Sequence, residues 1–185
     1  MGRPPNPQAK AELLRRAADY VLRQGLTDLS LRPLAAHLGV SARLLLYHFG
    51  SKEQLVVEVL GVIAQQQQAA LSQVDPLADP AERLDVLWAR LTSPELIPFL
   101  RSLFEVELRA IDGEEHYRQF ARGAIRAWLE VVAAHLREGV SAPTANIVLA
   151  ALTGLLIDRF STHEEERTNE AFHALKSALH AGGLL

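Results

Sequence analysis

Apolar residues recur at steps of three and four along almost the whole chain and nowhere alternate over a strand's length. That is helical periodicity without a strand pattern. The first helix is expected from about Gln8 to Gln24, with Leu13, Leu14, Ala17, Ala18, Val21 and Leu22 apolar and Gly25 as its C′ residue. Ser30 caps a second helix whose apolar face is Leu31, Leu34, Ala35 and Leu38, with Pro33 in the first turn, where a missing N–H costs nothing. Gly39 ends it, Val40 packs inward, and Ser41 caps a third helix over Ala42 to Phe49, which Gly50 closes. Ser51-Lys52-Glu53-Gln54 reads as a capping box for a long fourth helix, from Lys52 to about Val74.

The later breaks are equally regular. Asp79-Pro80-Ala81-Glu82 opens a fifth helix, and Ser93-Pro94-Glu95 a sixth in the same way, with Pro98 expected to tighten or bend it. Asp112-Gly113 precedes a seventh, about Glu114 to Glu138, with Tyr117, Phe120, Ala121, Ala124, Ile125, Trp128, Val131 and Val132 apolar. An eighth is expected over about Pro143 to Ser161. Thr162-His163-Glu164-Glu165 reads as a capping box for a ninth, ending near Gly182. The expected fold class is all-α, with about nine helices. A three-helix helix-turn-helix head would occupy residues 1–52, and a helical ligand-binding and dimerisation domain residues 53–185.

The third helix carries the functional argument. At about 1.5 Å per residue it spans roughly 12 Å, close to the width of a DNA major groove. On a helical wheel Ala42, Leu45, Leu46 and Phe49 share one side, expected to face Leu34 and Leu38. Arg43, Leu44, Tyr47 and His48 share the other. They set a guanidinium, a phenol, an imidazole and an aliphatic group outward together, a set suited to phosphates and base edges. The DNA contacts expected from this pattern are Arg43, Tyr47, His48 and Lys52, supported by Ser30, Arg32, Ser41 and Leu44. Tyr47 and Lys52 suit phosphates, Arg43 a guanine edge, and Leu44 a thymine methyl.

These residues resemble the TetR family of bacterial transcriptional regulators. The match runs through LRPLAAHLGVS at residues 31–41, then through Tyr47-His48-Phe49-Gly50-Ser51-Lys52-Glu53-Gln54-Leu55, and is strong over about residues 10–60. Many members carry two aromatics before the His, whereas this chain has Leu46 where the first would stand. The resemblance implies a homodimer on a palindromic double-stranded operator. It also implies release by a small-molecule effector whose binding shifts the fourth helix.

Charge supports the division. The chain has 185 residues and a net charge of −3, yet residues 1–52 hold eight basic side chains against three acidic ones. The head therefore carries +5 and the remainder −8, the footprint of a small DNA reader on a non-binding body. Arg3, on a Pro-rich stretch, is expected in a disordered tail, with a flexible arm that reaches a phosphate or a minor groove as the alternative. There is no cysteine, which excludes disulfides, thiolate metal sites and cysteine nucleophiles. No signal-peptide pattern and no uninterrupted apolar run near ~20 residues is present, so a cytoplasmic protein without a membrane partner is expected.

Trp88, Phe99, Phe104, Tyr117, Phe120 and Trp128 are expected to line an effector pocket, with Glu107, Arg126 or Asp158 as polar anchors. The near-continuous apolar run from Ile147 to Ile157 is expected to form the dimer interface with the ninth helix. Ile147, Ala150, Ala151, Gly154 and Leu155 carry it, because a helix apolar all round must be buried. Ala150, Ala151 and Gly154 would allow close approach. Against an enzyme, Glu170 and His173 have the spacing of a di-iron ligand pair, but such sites need two copies. No glycine-rich phosphate loop or nucleophile elbow occurs. No cofactor and no metal is expected. The competing reading is a helical interaction module of the same fold that has lost DNA binding.

Overall fold

Nine α-helices form among the described residues of the computed structural model, which are 7–25, 29–71, 73, 75 and 77–185. They are α1 Pro7–Gln24, α2 Leu31–Leu38, α3 Ala42–Phe49, α4 Lys52–Leu71, α5 Pro80–Leu91, α6 Ile97–Ile111, α7 Glu115–His135, α8 Ala142–Thr162 and α9 Glu165–Ala181. The all-α expectation is met. The Arg3 arm and the expected end of the fourth helix at Val74 lie outside the described residues.

The chain divides into two compact units, Met1–Gln67 with Glu95–Ala124, and Gln68–Pro94 with Ile125–Leu185. The expected head is contained in the first, which also includes α6 and the beginning of α7. In that unit α2 packs on α1 and α3, and α1 on α6. Leu13, Ala17 and Val21 of α1, Leu34 and Leu38 of α2, and Leu55, Val59 and Leu60 of α4 are buried. Lys10 is drawn inward: its ammonium pairs with Glu58 at 2.8 Å and lies 5.1 Å from the centroid of the Phe49 ring. One side chain thus ties α1 to both α3 and α4, and its charge is held within the head.

In the second unit α9 packs on α8 and α5. Its polar hub is Arg159, which the apolar pattern of α8 gave no reason to single out. Only 9% of Arg159 is exposed. Its guanidinium donates to the Glu165 carbonyl at 3.0 Å, the Glu165 carboxylate at 2.8 Å, Thr168 Oγ1 at 3.1 Å and Asn169 Oδ1 at 3.2 Å. Asn169 Oδ1 also accepts the Trp88 indole N–H at 3.0 Å, and the Trp88 ring stacks on Phe172 with centroids 4.8 Å apart. Lys176 on α9 meets both carboxylate oxygens of Asp85 on α5 at 2.6 and 2.7 Å. A buried guanidinium is tolerable here because acceptors meet its N–H groups.

Two helix starts differ from expectation. Residues 93–96 form turns, and α6 begins at Ile97 with Pro98 in its first turn, so the proline starts the helix and bends nothing. Thr162 does not cap α9. It ends α8, His163 turns the chain at φ 59°, and Glu164 is the N-cap without a side-chain capping bond. The Thr162 hydroxyl instead accepts the Glu164 N–H at 3.2 Å. Ser141 and Asp79 cap as short polar residues should, accepting from Thr144 and Ala81 respectively.

α8 is the one helix among the described residues long and apolar enough to cross a membrane by length and composition. It buries Ala145, Val148, Leu152, Leu156 and Arg159 on one side. The opposite stripe is not buried: Ile147 is 69% and Ile157 49% exposed, Ala150 and Gly154 are exposed, and Ala151 and Leu155 are half-buried. A Cβ built on Gly154 meets nothing within 4 Å.

Replacing Arg159 with Ala should cost about 3 kcal/mol, since it removes four hydrogen bonds and orphans buried acceptors. Urea denaturation of the variant checks this, and an unchanged midpoint would contradict the hub.

Candidate nucleic-acid interface

α2, the turn and α3 are built by local chemistry. Gly39 adopts the left-handed conformation at φ 69°, ψ 29°. Its N–H donates to Ala36 O at 3.1 Å while the Val40 N–H reaches Ala35 O at 2.9 Å. This is a Schellman closure, and it needs a residue without a Cβ penalty at position 39. Ser41 then caps α3, its Oγ accepting the Leu44 N–H at 3.1 Å. Gly50, at φ 80°, ends α3 with its N–H on Leu46 O at 2.8 Å.

Ser51 forms half of a capping box, its Oγ accepting the Gln54 N–H at 3.0 Å. The Gln54 side chain turns instead toward Glu58, at 3.4 Å. Glu53 is held below the usual carboxylate range, first by its own backbone N–H and further by Ser51 and Lys52. A carboxylate that stays ionised at a helix start suits the positive end of the helix dipole. Ser30 stands at the N-cap position of α2 with extended backbone, but its side chain makes no capping bond.

α3 is anchored by two residues. Leu45 is 0% and Phe49 4% exposed, and Ala42 is half-buried. Leu46, expected on that core face, is 42% exposed and belongs to the outer surface. The reason is geometric: a two-turn helix lying on its neighbours encloses the narrow stripe 42, 45 and 49, and position 46 is rotated clear of it. The outward set is therefore Arg43, Leu44, Leu46 and Tyr47, with Tyr47 50% and Leu44 37% exposed.

His48 is only half-buried outward. Its ring meets Tyr47 edge-on at 5.4 Å between centroids, and its Nδ1 is enclosed without a hydrogen-bond partner. Arg32 and Ser30 are exposed beside the turn. Lys52 is half-buried and borders a void of about 10 Å³ with Glu105, Arg109 and Tyr117, so its stem is partly committed to packing. Neither Arg32 nor Arg43 has an ion-pair partner among the described residues.

The residues expected to line an effector pocket are distributed over both units. In the first, Phe99 and Tyr117 are 1% exposed, Arg109 lies 5.6 Å from the Tyr117 ring centroid, and Phe104, Glu107 and Phe120 are half-buried. Burial pushes the Glu107 carboxyl up, and the same cause raises the Tyr117 phenol. In the second, Trp88 is committed to its stack on Phe172, and Trp128 is buried with its indole N–H unpaired. Arg126 is exposed, and Asp158 is held in a bidentate pair with Arg167 at 2.7 and 2.8 Å. Aromatic periodicity carries no signal separating rings that pack from rings that line a void.

Residues 13–59 match the family model described as bacterial regulatory proteins, tetR family. Among curated proteins none matches the sequence. Solved structures do match over nearly the whole chain. A transcriptional regulator from Rhodococcus sp. Rha1 is 20% identical with a TM-score of 0.77, covering 94% of this chain and 97% of its own. A TetR-family regulator from Cytophaga hutchinsonii is 16% identical with a TM-score of 0.74, covering 96% and 94%. The multidrug binding protein EbrR, complexed with proflavin, is 23% identical with a TM-score of 0.70, covering 91% and 98%. At these identities the likeness establishes a shared fold.

Exchanging Leu45 for Ala should destabilise the head by about 3 kcal/mol, whereas Leu46→Gln should stay within ~0.5 kcal/mol of the parent. Comparable losses for both, read by chemical denaturation, would return Leu46 to the core.

Proposed function

We propose that this chain, whose residues 13–59 match the model of bacterial regulatory proteins, tetR family, and whose fold is like that of solved transcriptional regulators, is a homodimeric, ligand-released repressor of a palindromic operator. The observation that carries the reading is the outer face of α3. Arg43, Leu44 and Tyr47 stand exposed on a helix whose opposite side is locked by Leu45 and Phe49. Arg43 would take a guanine edge and Leu44 a thymine methyl. Tyr47, Lys52 and Arg32 would hold phosphates, with the N-terminal amides of α2 and α3 at Ser30 and Ser41 beside them. His48, half-enclosed, would add a contact from its open edge.

The exposed stripe of α8 supports the dimer. Ile147, Ala150, Ala151, Gly154 and Leu155 are apolar or small, lie at steps of three and four, and remain open in one chain. Soluble chains seldom leave such a stripe to water. Two-fold pairing through it would place two heads on two half-sites.

A small-molecule effector is supported in the first unit by the Glu107 carboxyl, which burial raises, with Phe99, Phe104, Tyr117 and Phe120 as apolar surroundings. EbrR, of like fold, was solved with proflavin. The reading is of a binding protein, not an enzyme, acting in the cytoplasm on DNA.

Selection from random duplexes at about 0.15 M salt, where weak phosphate binding is largely suppressed, should yield a palindrome with two half-sites. Arg43→Ala should then weaken the selected site by roughly tenfold to a hundredfold and random DNA little, while Tyr47→Ala weakens both. No enrichment from folded protein would favour the interaction module, for which the exposed Leu46 in place of a ring is the specific argument. Separately, Gly154→Leu should give monomers by analytical ultracentrifugation with helicity intact, because the single chain has open space there. A persistent dimer would move the interface elsewhere.

A further inference from the structure

α6 has an apolar stripe on each of two sides, and the fold covers one of them. Phe99, Leu100, Leu103, Val106 and Ala110 are buried on its inner side. On the other side Ile97, Arg101, Phe104, Leu108 and Ile111 follow at steps of four, three, four and three. That is the spacing of a coiled-coil seam, along which one helix packs on another. Ile97 and Phe104 are half-buried, whereas Leu108 is 63% and Ile111 77% exposed. Outside α3 and α8, no other helix among the described residues exposes two large apolar side chains.

Charge decides what can cover this stripe. One seam position is a cation: Arg101 is exposed and has no ion-pair partner among the described residues. Arg23, at the end of α1, lines the same cleft of about 450 Å³ as Arg101, Phe104 and Leu108. The first half of the stripe is therefore flanked by two cations. Its far end is acidic. Asp112, the C-cap residue of α6, and Glu114 are exposed, and neither carboxylate is in an ion pair among the described residues.

A surface cationic at one end, acidic at the other and apolar between is complementary to itself turned end for end. With a two-fold axis passing at the height of residue 106, a second α6 runs antiparallel and sets Phe104 against Leu108 of the second copy. Arg101 and Asp112 share one flank of the helix, and the axis brings like flank to like flank. Arg101 then meets Ile111 and Asp112 of the second copy. Parallel pairing would instead set Arg101 on Arg101 and acid on acid, which like charges oppose. Two heptads bury too little to hold two chains by themselves, so the contact belongs to an assembly also held elsewhere.

We propose that the outer stripe of α6 packs antiparallel on the same stripe of a second copy, as a second contact of the homodimer, with its register set by Arg101 on Asp112. The contact rests on the homodimer reading. Because α6 and the helix-turn-helix fall in one compact unit, it would tie the two heads to each other through α6.

The chain has no cysteine, so one introduced thiol reports its own surroundings. In the full chain, Leu108→Cys is expected to cross-link two copies with bismaleimidoethane, while Val86→Cys, 66% exposed on α5, does not. Adding Arg101→Glu should cut the cross-linked fraction roughly tenfold, and adding Asp112→Arg to that pair should restore it. Positions 101, 108 and 112 are all exposed, so helicity by circular dichroism should be unchanged in each variant. A dimer by sedimentation that gives no Leu108→Cys cross-link, or as much from Val86→Cys, would overturn the α6 contact alone. Cross-linking that survives Arg101→Glu would overturn the register. A monomer at every concentration would overturn the homodimer reading and this contact together.

Discussion

The burial of Leu45 and Phe49 is the constraint on which the DNA-binding reading rests. α3 is eight residues long, too short to be stable as an isolated helix in water. Tertiary contact and its two caps must hold it, and only two of its side chains are fully withdrawn from solvent. That economy is what frees the rest. With one narrow stripe committed, Arg43, Leu44, Leu46 and Tyr47 project outward. The glycines on either side, at φ 69° and 80°, keep the chain from continuing the helix in either direction. Lys10, over the Phe49 ring and paired with Glu58, secures the same anchor from α1. One of the eight basic residues counted toward the head is thereby structural.

The second unit solves a different problem. α8 is so apolar that burial alone does not orient it, because either side could face inward. Arg159 resolves the choice. A guanidinium that must find acceptors can turn only toward the α8–α9 connection, where the Glu165 carbonyl, Thr168 and Asn169 meet it. With that side fixed inward, Ile147, Ala150, Gly154 and Ile157 are left facing out. The same polar hub reaches α5 through Asn169 and Trp88, so the ring expected to meet an effector is part of the scaffold.

Helix count and the positions of most breaks were legible because each depends on local signals. Periodicity sets the helices, and Gly39, Ser41, Gly50, Asp79 and Ser141 act within one turn of themselves. The misreadings have the same origin. Pro98 satisfies two local rules, as a bend or as a start. Thr162 satisfies the spacing of a cap, but α8 continues through it because Arg159, one turn earlier, is held by the residues that follow.

The sequence by itself determined an all-helical chain with a helix-turn-helix near its beginning and a set of polar side chains on the short third helix. Caps, helical steps and charge are properties of neighbours along the chain. The tertiary structure alone decided which side of α3 clears its neighbours at Leu46 and which stripe of α8 stays open. It also decided that Trp88 packs and that Arg83 reaches the end of α7. These depend on which surfaces press together across 50 or more residues, as with the bond from Arg83 to Leu136, and no local periodicity encodes the partner that a given face will find.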